Sequence, residues 1–457
     1  MKPTNLQTIA TWTNGELLQG VPAEEVSVVS TDTRKMEGGE FFVALKGDNF
    51  DAHDHLDQAI GKGAAALFIH DLPASTEGTG VALIRVRNTL TGLQQLAANY
   101  RRSLEIPVVG ITGSSGKTST KDLTRFVLGQ KFQVSATKGN LNNHIGLPLT
   151  ILETNAEHNL GVFEMGMNHP GEIEVLAEIA APNVGIITNV GTAHLEFMKT
   201  REAIALEKGM LAEAVPDDGC VVLSAHDDFT PSMRERTKAR ILTGGVNCGD
   251  VSATNLEIGF EGCRFELHFE GKSVVTQLSV SAEHMVRNAT LAAATGLHLG
   301  MTLEEVAAGL SNAELTGGRL QLKAVGEITV LDDSYNANPD SMRAALRTLR
   351  DLPVEGKRVA VLGLMAELGE HADAEHVALG NAVAENKIDI LLGIGEEGRR
   401  MAEGAGEGAE CHVFDDHPSI AEYLRTNLGS TDLVLLKGSR SAQMERVLAH
   451  LTDQATD

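Results

Sequence analysis

Residues Gly110 to Ser119, GITGSSGKTS, decide the fold. An apolar run, Pro107–Thr112, leads into them, and a helix is expected from Lys117 onward. A glycine-rich turn between a strand and a helix aims backbone N–H groups and the positive end of the helix dipole at one point. Such a turn is an anion site. In that geometry Lys117 reaches the outer phosphates of a nucleotide and the Thr118 hydroxyl faces Mg²⁺. The general pattern GxxxxGK[ST] would put its first glycine at position 111, where this chain has Ile, so the loop is a shorter relative. The motif predicts an open parallel sheet with nucleotide at the carboxyl ends of its strands.

Working outward, Gly161–Glu164 and Val184–Asn189 are apolar nearly throughout. Strands buried on both faces of a parallel sheet read this way. Glu164 and His194 fall just past strand ends, on the rim where such sheets bind ligands. With Thr118 they form a candidate set for a hard cation or a phosphate. In Arg201–Val215, residues Ile204, Lys208, Leu211 and Val215 share one helical stripe, which puts a lysine among apolar residues. A buried ammonium is costly unless paired or neutralised. Two readings stay open: a snorkelling stem with its head in water, and conversion of the amine to a carbamate anion suited to Mg²⁺.

Farther along, Phe265, Leu267 and Phe269 alternate with polar residues, and Val274, Thr276, Leu278 and Val280 do so again after Glu270-Gly271-Lys272. This predicts an antiparallel hairpin. Past Glu314–Arg319, with its Gly317-Gly318 pair, strands ending at Leu331, Leu362, Ile394 and Leu436 alternate with helical stretches such as Asp340–Leu349. That is a second open parallel sheet. Before Arg101–Pro107, short strands and helices mix, with a strand at Glu40–Leu45 and a helix at Thr91–Arg102. A chain of 457 residues suggests about three domains. The expected α/β division is a mixed domain over 1–104, a central P-loop parallel-sheet domain with a small antiparallel sheet over 105–316, and a Rossmann-like domain over 317–457.

The net charge of -24 argues against nucleic acid and anionic membranes as partners. It also requires any phosphate site to be locally positive or metal-assisted. The four cysteines, Cys220, Cys248, Cys263 and Cys411, form no CxxC pair, which fits a reducing cytoplasm. The opening MKPTNLQTIATW has no apolar core of a signal peptide. Apolar runs such as Ala64–Ile69 are far too short to span a bilayer.

Ten segments in order resemble the Mur ligase family of peptidoglycan synthesis, which includes folylpolyglutamate synthetase relatives. They are ITGSSGKTSTK, TKGNLNNHIGLP, FEMGMNHPGEIE, TNVGTAHLE, ALEKGM, HMVRNATLAAA, GGRLQ, DDSYNANPDSM, VLGLMAELGE and LLKGSR. The resemblance runs from about residue 28 to 446. The segment DDSYNANPDSM, with ELGE and KGSR downstream, is similar to the member that adds D-alanyl-D-alanine to a UDP-N-acetylmuramoyl-tripeptide. The run STDTRKMEGGEFFVALKGDNFDAHDH is similar to that member's UDP-sugar domain.

The resemblance implies ATP and Mg²⁺ as cofactors, those two small molecules as substrates, and a monomer. Gly113, Ser114, Ser115, Gly116, Lys117, Thr118 and Ser119 would hold the ATP phosphates. Asn288 and Arg319 would contact the nucleotide, and Asp333 its ribose. Thr118 and Glu164 would hold one Mg²⁺, while His194 and a carbamylated Lys208 would serve a second. Lys117, His194 and Lys208 are therefore the catalytic candidates. Ser30, Thr31, Lys46 and Gly47 would line the UDP pocket. Thr137, Asn140, Asn142 and Asn143 would hold the UDP-linked substrate near the phosphates, and Asn336 and Asn338 would face the dipeptide. The implied chemistry phosphorylates a carboxylate and lets an amine displace the phosphate. A sibling ligase with another amino acid, or a P-loop nucleotide switch, are the alternatives.

Overall fold

The strand Val108–Thr112 is buried along its whole length, as are Leu160–Glu164, Val184–Ile187 and Cys220–Ser224. In the computed structural model, which describes residues 1–72 and 79–453, these four form the middle of a nine-stranded sheet. Its order is Lys272–Leu278, Gly262–Phe269, Val251–Gly259, Arg240–Val246, Cys220–Ser224, Val184–Ile187, Val108–Thr112, Leu160–Glu164, Val134–Ala136. The apolar runs are uninterrupted because helices cover both faces. Lys117–Leu128 and Glu283–His298 pack together on one side, and Arg201–Ala214 lies on the other. Each fully buried Val or Ile here contributes about 1.5–3 kcal/mol.

The strand that feeds the glycine loop is central, with Leu160–Glu164 on one flank and Val184–Ile187 on the other, all parallel. The chain leaves Thr112 to build one side and later returns to build the other. The loop therefore sits at the point where strand order reverses, which is where open sheets leave a crevice. The antiparallel hairpin is present, Gly262–Phe269 against Lys272–Leu278. It is continuous with the parallel strands, because Val251–Gly259 pairs parallel with Arg240–Val246 and antiparallel with Gly262–Phe269.

Two further large sheets flank this one, and Thr4–Asn5 pairs with Glu25–Val26 as a two-stranded ribbon. The first has the order Glu16–Gln19, Ala82–Arg85, Ala66–Ile69, Phe41–Val43, Val29–Ser30, and is parallel except at the Glu16–Gln19 edge. The last has the order Gln321–Val325, Ile328–Asp333, Leu433–Lys437, Arg358–Leu362, Ile390–Ile394, Glu410–Phe414, with one antiparallel pair at the Gln321–Val325 edge. The molecule is thus a three-domain α/β protein. No helix among the described residues is long and apolar enough to cross a membrane.

The joints are specific. Arg101, near the end of the helix Thr89–Ser103, is buried and donates to the carbonyls of Ala180 and Ala181 and to Asn183 Oδ1. Burial lowers its guanidinium to about 10. At the other joint, Asp122 Oδ2 accepts from the N–H and the hydroxyl of Thr316, at 2.9 and 2.8 Å, just before Gly317-Gly318. Removing the guanidinium strands buried acceptors. We expect Arg101→Ala to destabilise the protein by about 2–3 kcal/mol, measured by denaturant unfolding; an unchanged midpoint would refute this account of the joint.

Candidate active site

Two glycines shape the phosphate loop. Gly113 has φ +151°, and a Cβ there would come within 1.8 Å of Thr188 Oγ1. Gly116 has φ +80° and precedes the helix Lys117–Leu128; a Cβ there would press on Asn288. The loop is held from outside by the segment that follows Val184–Ile187. Asn189 Oδ1 accepts from the N–H groups of Ser114 and Ser115, at 3.1 and 2.9 Å. Thr188 Oγ1 donates to the Ser115 carbonyl, and Ser114 Oγ accepts from the N–H of Gly191. Lys117 folds back on the loop, with Nζ donating to the Gly113 carbonyl at 2.7 Å. Burial pulls its ammonium below the ordinary lysine range, opposed by Glu164 and reinforced by Arg319.

Glu164 ends its strand with 2% exposure. Its N–H donates to Thr137 Oγ1, and its Oε1 accepts from Asn142 Nδ2 at 2.7 Å. Its Oε2 is buried with no hydrogen-bond partner. A buried carboxylate oxygen left bare beside a hydroxyl-bearing loop suits a cation. Thr118 Oγ1 accepts from Arg319 Nη2 at 3.0 Å, and the Arg319 guanidinium lies 4.4 Å from the Tyr335 ring centroid. Among the described residues no three His, Cys, Asp or Glu side chains gather as a metal cage. Mg²⁺ is commonly held by one or two protein ligands plus substrate phosphates.

Lys208 is 1% exposed on the helix Arg201–Ala214. Its ammonium has no hydrogen bond or ion pair among the described residues, and burial, with Lys117 nearby, drives it well below the lysine range. The snorkelling reading therefore fails: the head does not reach water. Its neighbour Glu207, also buried, accepts from the N–H groups of Gly171 and Ile173, both at 2.7 Å, and so caps the helix Glu172–Ala180. His194 has φ +64° and pairs through Nδ1 with Glu367.

From the C-terminal domain, Asp333 pairs with Lys437 at 2.5 Å, and Lys437 also donates to the Asn336 carbonyl. Burial raises the Asp333 carboxyl against that lysine. Asn338 caps the helix Pro339–Asp351 by accepting from the Ser341 N–H, and its Nδ2 donates to Ser115 Oγ at 3.0 Å. Its amide is thus committed to the cap and the phosphate loop. Asp340 Oδ2 accepts from the N–H and hydroxyl of Thr192.

These groups line one cleft of about 650 Å³ between the central and C-terminal domains. Ser114 to Ser119, Asn140, Asn142, Asn143, Glu164, His194, Asn288, Arg319, Asp333, Asn336 and Asn338 all face it. Gly113, Thr137 and Lys208 are not in its lining. A cavity of about 470 Å³ in the first domain is lined by Thr31, Arg34, Phe50 and His55 among others. Ser30, Lys46 and Gly47 are not in its lining: the Ser30 hydroxyl turns back onto Asp32, and Lys46 pairs with Asp51. Sequence reasoning missed Asn189, Asp340, Glu367 and Lys437. All four sit in segments quoted above, but their partners lie far away along the chain.

Family models match along the chain: the Mur ligase family catalytic domain over residues 25–101, the Mur ligase middle domain over 111–296, and the Mur ligase glutamate ligase domain over 318–440. The UDP-N-acetylmuramoyl-tripeptide–D-alanyl-D-alanine ligase of Escherichia coli (strain K12) is 36% identical over 97% of each chain. That of Bacillus subtilis (strain 168) is 36% identical over 93% of each. A crystal structure of MurF from Acinetobacter baumannii superposes with a TM-score of 0.92 at 34% identity over 99% of each chain. MurF from Thermotoga maritima in complex with ADP superposes with 0.84 at 28% identity, over 94% of this chain and 98% of that one. Matched by these family models over most of its length and 36% identical to relatives covered almost end to end, this chain belongs to the Mur ligase family.

Proposed function

We propose that this chain uses ATP to join D-alanyl-D-alanine to UDP-N-acetylmuramoyl-tripeptide, giving the pentapeptide of peptidoglycan synthesis. The observation that carries the reading is the cleft itself. Lys117, the bare oxygen of Glu164 and His194 face residues 333–340 of another domain across it. The names of the relatives and the ADP in the Thermotoga maritima structure support the same reading. We divide the chain at 104/105 and 316/317, supported by sheets whose strands fall within 16–85, 108–278 and 321–437. One chain supplies every residue named, so a monomer suffices.

The tripeptide's terminal carboxylate is a poor acyl donor. Its oxygen attacks the γ-phosphorus of ATP, ADP leaves, and an acyl phosphate forms. The dipeptide's neutral amine then attacks the carbonyl carbon, the C–N bond forms and phosphate departs. Lys117 offsets the charge spreading over the transferred phosphoryl group. Thr118 and Glu164 suit one Mg²⁺, and His194 with carbamylated Lys208 a second; bound there, the cations would offset the anion–anion repulsion. Arg319 and Asn288 attend the nucleotide, Asp333 its ribose, and Asn140, Asn142 and Asn143 the UDP-linked substrate. Closure of the cleft keeps water from the acyl phosphate.

With ATP, Mg²⁺, UDP-muramyl tripeptide and D-Ala-D-Ala, mass spectrometry should detect the pentapeptide, and omission of either acceptor should abolish it. ATP hydrolysis independent of both acceptors would favour a nucleotide switch instead. Lys117→Ala should cut turnover by about 10³-fold or more. The neutral amine that burial favours at Lys208 is the form that takes up CO₂, releasing a proton. Turnover should therefore fall in CO₂-free buffer at mildly acid pH and return with bicarbonate; full activity of protein carrying an unmodified Lys208 would remove the carbamate from the account. Gly317→Pro should lower turnover by stiffening the joint, and a folded variant with unchanged turnover would exclude a hinge there.

A further inference from the structure

Two non-glycine residues in the left-handed region meet across the domain interface. His194 has φ +64° and Glu367 has φ +61°. L-residues rarely adopt this conformation, and it persists where the surroundings over-determine it, commonly at functional sites. Here the surroundings are explicit. His194 Nδ1 bonds Glu367 Oε2 at 2.5 Å, and the Glu367 carbonyl accepts from the Glu196 N–H at 3.2 Å. Gly369, at φ +53°, lies against Glu196. The root of the loop that carries Glu367 is pinned by buried His376, whose Nε2 accepts from the Met365 N–H while Nδ1 donates to the Ala372 carbonyl.

A carboxylate can only accept, so the hydrogen of this pair sits on Nδ1. In the neutral ring the other nitrogen, Nε2, then carries the lone pair, and this is the tautomer that can ligate a cation from the cleft side. His194 lines the cleft, and it belongs to the central domain while Glu367 belongs to the C-terminal domain. We infer that Glu367 is a positioning residue which, when the domains close, fixes the orientation and tautomer of His194 so that the second cation site is complete only in the closed form. This rests on the reading of His194 as a cation-side residue. A carboxylate or carbonyl on the remote nitrogen of a metal-bound histidine is the usual supporting arrangement. Here that support arrives from a different domain.

The test uses full-length protein saturated with a non-hydrolysable ATP analogue and UDP-muramyl tripeptide, with Mn²⁺ as the probe, its binding followed by electron paramagnetic resonance. Glu367→Gly tolerates the left-handed backbone and so keeps the loop while deleting the carboxylate. It should weaken the second Mn²⁺ by about 10–100-fold and leave the first unchanged. Glu367→Gln, whose Oε1 still accepts from Nδ1, should restore most of that affinity. Asp340→Asn, which alters the neighbouring interdomain contact to Thr192 without touching His194, should not reproduce the selective loss. If His194→Ala loses the second Mn²⁺ while Glu367→Gly retains it, the inference falls and the reading of His194 stands. If His194→Ala retains it, both fall.

Discussion

The site depends on the lack of a side chain at Gly113. The strand Val108–Thr112 turns into its loop against Thr188, where a Cβ would collide with the hydroxyl at 1.8 Å. That close approach lets Thr188 and Asn189 hold the loop, and so sets where the helix from Lys117 begins. Lys117, Thr118 and Glu164 are brought to one spot because three parallel strands end together there. In a chain of net charge -24, a triphosphate is attracted only where oriented N–H groups and a few cations outweigh the general field. Lys117 at the head of the helix, with Arg319 arriving from the next domain, supplies such a place even though burial disfavours the lysine's charge.

Much of this was legible in the residues because it is local. The strand–loop–helix over 108–128, the buried strands ending at Glu164 and Ile187, and the hairpin over 262–278 follow from patterns a few residues long. The placement of Glu164 and His194 past strand ends needed only the rule about where open sheets bind. Lys208 was visible as a lysine on an apolar stripe. Its unpaired state was not, since a snorkelling stem gives the same pattern. The contacts that were not legible join distant positions: Glu367 to His194 across 173 residues, Asp340 to Thr192 across 148, Lys437 to Asp333 across 104. No periodicity encodes such pairs. Asn338 illustrates the other limit, since an asparagine one residue before a proline-led helix is also an ordinary cap, and the cap takes its oxygen here.

Glu207 and Lys208 show how one turn of helix separates structure from chemistry. Both are ionisable, adjacent and buried. Glu207 receives two backbone N–H groups from the start of Glu172–Ala180 and is satisfied. Lys208 receives nothing of the kind. The carboxylate therefore explains the packing of two helices, and the amine is left as the group with an unmet electrostatic need.

The tie between Asp122 and Thr316 has a mechanical consequence. Asp122 lies on the same helix that begins with Lys117 and Thr118, so the hinge proposed at Gly317-Gly318 starts from a point tied to the phosphate-gripping element itself. Arg319 follows Thr316 by only three residues and bonds Thr118 on that same helix, so a swing about the proposed hinge has a short lever arm to it. Arg319 would thus stay beside the nucleotide as the jaw opens.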